Sequence, residues 1–107
     1  MIFPQSTQDR GRLANIGIVI MEGRLLCADA AEAELVEKLL PEHIRLTKAE
    51  DGCISFSVTQ TGDPWVWLVH EEFEDSAAFE AHQQRAAKSE WGQTTSGLQR
   101  IYKIKGL

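Results

Sequence analysis

The chain has 107 residues, 43% hydrophobic and 25% charged, with 11 Lys and Arg against 16 Asp and Glu and a formal net charge of −5. These values describe one ordinary globular domain and exclude disordered, collagen-like and fibrous classes. The acidic balance argues against a nucleic-acid partner or an anionic membrane surface, and no apolar run approaches the length of a signal-peptide core or a membrane span.

Residues 1–14 are polar, carry Pro4 and Gly11, and read as a flexible N-terminal extension; residues 15–107 read as a single domain. Residues 15–28 (NIGIVIMEGRLLCA) are rich in Ile, Val and Leu and predict a strand, with Gly23 a bulge or a point of close approach. Asp29-Ala-Ala-Glu32 has the form of a capping box. The helix it opens carries Leu35, Val36, Leu39, Leu40, His43, Ile44 and Thr47 on one inward face. Pro41 lies inside that pattern and predicts a kink, and Gly52 is placed to close the segment. From Cys53 to Thr61 the chain alternates, with Ile54, Phe56 and Val58 on one face of a second strand.

Thr61-Gly-Asp-Pro64 is a turn signal. The following Trp65-Val-Trp-Leu-Val69, continued by His70 to Phe73, is apolar on both faces of a strand. One monomer of this size covers only one face of a sheet, so a second subunit is the expected cover. Asp75 can cap a helix over residues 76–88 that presents Ala78, Phe79, His82 and Ala86 on one face. Ser89 to Gly97 reads as a Ser/Thr/Gly-rich loop holding Trp91, and Leu98 to Lys105 as the last strand. The order is βαββαβ, an α+β, ferredoxin-like plan in which two main helices cover one face of an antiparallel sheet.

Cys27 and Cys53 fit neither a disulfide framework nor a zinc spacing, and no His/Cys/carboxylate set has metal-ligand spacing. No Rossmann, P-loop or flavin fingerprint is present. The expectation is a cytoplasmic protein without a cofactor or a metal.

Two stretches carry a family likeness. Ala49-Glu-Asp-Gly-Cys-Ile-Ser-Phe-Ser57, and Trp67-Leu-Val-His-Glu-Glu-Phe-Glu-Asp-Ser-Ala-Ala-Phe-Glu-Ala-His82, resemble the antibiotic biosynthesis monooxygenase superfamily, whose members typically read EPGCLSYE and then YERWEDEAALEAH. The likeness covers about residues 16–105. It implies a homodimer whose two sheets pack as a dimeric α+β barrel. It also implies an oxygenase of quinols or polyketide anthrones, a heme degrader, or an isomerase of small phosphorylated ketones. By the same resemblance, His82 matches a second-helix His that lines the cavity, Glu71 a strand Glu, Phe73 a pocket Trp and Phe79 a Tyr of some polyketide oxidases. Phe73 and Phe79 thus lack the polar handles of those counterparts, and the heme degraders' Asn, Trp and His set has no clear match, which disfavours heme.

Three histidines carry the candidate chemistry. His82 reads either as a base near neutrality that removes a phenolic proton or as a core histidine hydrogen-bonded for structure. His43 reads as a second pocket base or a satisfied polar group, and Glu71 as a group that orients a histidine or as half of an ion pair. His70 alternates to the opposite face from Glu71 and points toward the expected dimer partner. Phe73, Phe79, Trp67 and Trp91 could wall a flat aromatic substrate or could simply be core. The functional expectation is a cofactor-independent monooxygenase using O2 on a quinol, anthrone or similar small aromatic. The alternatives are an isomerase or lyase moving protons on a small carbonyl compound, and a non-catalytic ligand-binding dimer.

Overall fold

The computed structural model describes residues 17–107. The expected extension over residues 1–14 lies outside them. The elements are β1 (Val19–Leu26), α1 (Ala30–Lys48), β2 (Cys53–Gln60), β3 (Val66–Phe73), α2 (Ser76–Lys88), α3 (Glu90–Thr94) and β4 (Gln99–Lys105). They form one antiparallel sheet in the order β2-β3-β1-β4. This is the ferredoxin-like α+β plan, with one short helix more than the sequence suggests. No helix among the described residues is long and apolar enough to cross a membrane.

Each helix starts where a side chain supplies the missing acceptor. The Glu32 N–H donates to Asp29 Oδ1 at 2.9 Å, while the Glu32 carboxylate accepts from the Ala28 N–H at 2.7 Å. Asp75 accepts from the Ala78 N–H at 2.8 Å. Helix α1 runs unbroken through Pro41, which is exposed. Its buried side chains are Ala33, Val36, Leu40, His43 and Thr47; Leu35, expected inward, is 36% exposed.

The inward face of the sheet carries Val19, Met21 and Leu25 of β1, Phe56 and Val58 of β2, and Trp67, Val69, Glu71 and Phe73 of β3. Ile54 departs from the expected alternation. A register shift between Cys53 and Ser55 turns Ile54 outward, where it is 51% exposed, while Phe56 and Val58 stay in the core. Gly23 is a point of close approach in a continuous ladder. It pairs with Tyr102, and a Cβ there would strike the Ile101 carbonyl and the Tyr102 ring.

Gly52 does not cap α1, whose C-cap is Ala49. Its lack of a side chain serves packing instead, because a Cβ at Gly52 would run into the Cβ of Ala78. The turn after α1 therefore sits directly on α2, and the Glu74 N–H donates to the Gly52 carbonyl at 2.9 Å. That contact brings Glu50 beside α2.

A buried histidine between two carboxylates

A cavity of about 330 Å³ opens between the sheet and the helices, lined by Met21 and Glu71 from below, by His43, His82 and Trp91 from the helices, and by Arg100 and Tyr102 of β4. That volume is within the range of small-molecule sites.

His82 is placed by helical phase. It lies one turn after Phe79, both are buried, and its ring is 2% exposed. Its Nδ1 is 2.9 Å from Glu50 Oε1. Glu50 Oε2 accepts from Arg85 Nε at 2.7 Å, and Arg85 donates again to Thr47 Oγ1 at 3.0 Å. A carboxylate in such an ion pair only accepts, so the Glu50 contact puts the proton on Nδ1 and leaves Nε2 with its lone pair. Nε2 faces Glu71 Oε1 at 3.6 Å, beyond hydrogen-bond range. The His82 ring rests on Phe73 at 4.9 Å, and Phe73 meets Phe79 edge-on at 5.8 Å.

Glu71 is 5% exposed, and its Oε1 has no hydrogen-bond partner among the described residues. Burial, reinforced by the Glu50 charge, pushes its carboxyl up to about 7. Burial also lowers His82, against the opposing pull of Glu50. Both shifts favour a neutral Glu71–His82 pair over an ion pair. The proton released near neutrality is that of the Glu71 carboxyl, which lies beside Nε2 of His82.

His43 lies flat on Trp91, with centroids 4.7 Å apart and planes 8° apart, and meets Phe56 edge-on at 5.4 Å. Burial, then the charges of His82, Arg85 and Arg100, lower it to about 3. It is therefore neutral across ordinary pH and a weak base, and its ring with Trp91 forms an aromatic slab on the cavity wall.

Of the residues singled out from the sequence, His82, His43, Glu71 and Trp91 meet at this cavity. Phe73 and Phe79 lie behind His82 as its support. Trp67 shares the inward face of β3 with Glu71 but sits four residues away, about 13 Å along a strand, and packs in the core. His70 is on the outer face, between Glu22 at 3.0 Å and Glu72 at 3.1 Å.

The sequence does not mark Glu50, Arg85, Arg100 or Tyr102 as members of the site. Glu50 and Arg85 are single charges on a turn and a helix edge, and nothing in their spacing joins them to His82. Trp91 was expected on a loop; α3 instead rotates it inward. Ser89 Oγ caps this helix by accepting from the Gly92 N–H at 3.1 Å, and a Cβ at Gly92 would strike the Ala86 carbonyl. Ser89 followed by Glu90 was the available signal, but five residues are too few to show a period.

Residues 19–93 match the family model described as antibiotic biosynthesis monooxygenase. A search of curated proteins finds no significant match. Among solved structures, a candidate antibiotic biosynthesis monooxygenase from Nitrosomonas europaea is similar with a TM-score of 0.72 and 17% identity, over 85% of this chain and 90% of that one. PA3566 from Pseudomonas aeruginosa has a TM-score of 0.65 and 25% identity, over 83% and 90%. MupZ from Pseudomonas fluorescens has a TM-score of 0.70 and 14% identity, over 92% and 73%.

Proposed function

Because this chain belongs to the antibiotic biosynthesis monooxygenase family, we propose that it is a cofactor-independent monooxygenase oxidising a quinol, an anthrone or a similar small electron-rich aromatic with O2. The observation that carries this reading is the buried His82–Glu71 pair at the cavity, in which the Glu71 carboxyl releases its proton near neutral pH. A base of that strength, shielded from water, removes a proton from a phenol or an activated CH2 group. The resulting anion is electron-rich enough to reduce O2 itself. One electron passes to O2, the two radicals combine into a peroxide, and its breakdown yields a carbonyl and water. For an anthrone the balance is CH2 + O2 → C=O + H2O, and both electron pairs come from the substrate.

The other lining residues have parts in this scheme. His43 and Trp91 present a flat aromatic face to a flat substrate. Arg100 is held to the Thr95 carbonyl at 2.8 Å and the Thr95 hydroxyl at 2.9 Å, so its charge stands fixed beside the cavity to offset a substrate anion. Tyr102 adds a hydroxyl. The test is O2 uptake by the metal- and flavin-free protein on a panel of reduced quinols and anthrones, with the carbonyl product identified. Uptake with stoichiometric product supports the reading; none across the panel overturns it.

One observation favours a second reading. Glu71 is a buried carboxyl with an unpartnered oxygen, which suits proton removal next to a carbonyl. Solvent deuterium entering a keto substrate without O2 consumption would identify an isomerase.

We also propose that the protein works as a homodimer. Leu68 and Ile101, 46% and 56% exposed, flank Arg24 of β1 from the two neighbouring strands, on the sheet face away from the helices.

A further inference from the structure

His82 lines a second cavity as well. Between α2 and the turn after α1, a space of about 550 Å³ is bounded by Glu50, Asp51, Glu74, Ala78, His82 and Arg85. The two ring nitrogens thus look in different directions. Nε2 faces Glu71 and the first cavity; Nδ1 contacts Glu50, whose side chain is 21% exposed and lines the second. The ring itself is 2% exposed.

We propose that His82 is a proton bridge between the two cavities and that Glu50 is its exchange group in the second. The inference rests on the assignment of the His82–Glu71 pair as the base. In the forward sense Nε2 takes a proton from the Glu71 side, Nδ1 gives its proton to the Glu50 carboxylate, and Glu50 releases it to water in the second cavity. The imidazole ends neutral in its other tautomer, and the reverse transfer restores it. No proton is lost over the oxidation, because the peroxide takes up what the base removed. With substrate filling the first cavity, the bridge lets the pair equilibrate with solvent through the second. An imidazole serves because it binds and releases protons on opposite edges.

The groups facing His82 are Glu50 from the turn after α1, Arg85 from its own helix, Glu71 from β3 and His43 from α1. Arg85 keeps the Glu50 carboxylate aimed at Nδ1, so Glu50 also acts as a positioning residue.

The test needs no substrate. With ¹⁵N-histidine-labelled protein, NMR reads the His82 tautomer and the rate at which its Nδ1 proton exchanges with water. Wild type should show a protonated Nδ1 and fast exchange. Glu50→Gln still offers an oxygen to Nδ1–H but cannot take the proton. Exchange should slow by about tenfold or more, since a buried N–H is then released only by local opening. Glu50→Asp should retain faster exchange than Glu50→Gln, and in Glu50→Ala added formate should restore it. An unchanged rate in Glu50→Gln, or a proton found on Nε2 in wild type, overturns the bridge. Because this readout is independent of O2 uptake, the bridge and the oxygenase reading stand or fall separately.

Discussion

The Nε2 of His82 stands 3.6 Å from Oε1 of Glu71, and the two side chains are 2% and 6% exposed. A potential ion pair is thus held in a site where burial disfavours charge on either partner. Its protonation is the property most open to experiment.

The first prediction concerns Glu71 and pH. Its carboxyl moves from an ordinary 4.5 to about 7 in the folded chain. Between those values the folded protein holds a proton that the unfolded chain has released. The associated stability is complete below 4.5 and is lost as pH rises through about 7. Glu71→Gln, which keeps the neutral shape, should abolish that loss, worth on the order of 2–3 kcal/mol. Urea midpoints of both proteins at about pH 5 and pH 8 check this. The same deprotonation frees the base, so wild-type kcat/KM should rise through pH 7, and the variant should lack that limb.

His43 predicts the opposite slope. Its value falls from 6.5 to about 3, so the folded chain stays neutral where the unfolded one protonates. Stability from this group is complete above 6.5 and is lost as pH falls toward 3. By pH 4 the loss should reach roughly 3 kcal/mol. His43→Phe keeps a ring against Trp91 and should flatten the acid side of the stability curve, measured as denaturant midpoint against pH.

Turnover should separate the two histidines. His82→Ala is expected to lower kcat by on the order of 10²–10⁴, the usual cost of removing a general base, with dichroism and oligomeric state unchanged. His43→Ala should be milder and should raise KM more than it lowers kcat, because it removes wall rather than base. Equal losses of kcat in both variants would contradict this division.

For the assembly, Leu68→Glu combined with Ile101→Lys should turn a dimer of about 24 kDa into a monomer by light scattering at low micromolar concentration. A wild-type chain that already runs as a folded monomer would refute the dimer.

Gly52→Ala tests the contact that places Glu50. The added methyl meets Ala78 Cβ, so the turn and α2 must separate. A cost of about 1–3 kcal/mol is expected, as for overpacking elsewhere. The His82 Nδ1–H resonance should weaken with it, because His82 and Glu50 ride on the two surfaces that part.

Local chemistry made the framework legible from the sequence. Asp29 and Asp75 announce their helices by the acceptor each offers, and the spacing of Val36, Leu40, His43 and Thr47, and of Phe79 and His82, marks the buried faces before any fold is known. The succession of elements gave the ferredoxin-like plan, and the resemblance singled out His82 and Glu71. Tertiary structure alone decided the rest, because it depends on how close distant segments come. Glu50 joins His82 across 32 positions only because Gly52 lets the turn touch Ala78. Ile54 faces outward only because β2 slips its register against β3. Trp91 enters the cavity wall only because Gly92 allows α3 to lie on the end of α2. The ionisation of Glu71 and His43 is of the same kind. Residue type sets where a group begins to titrate, and the burial and neighbouring charges that move it exist only in the folded chain.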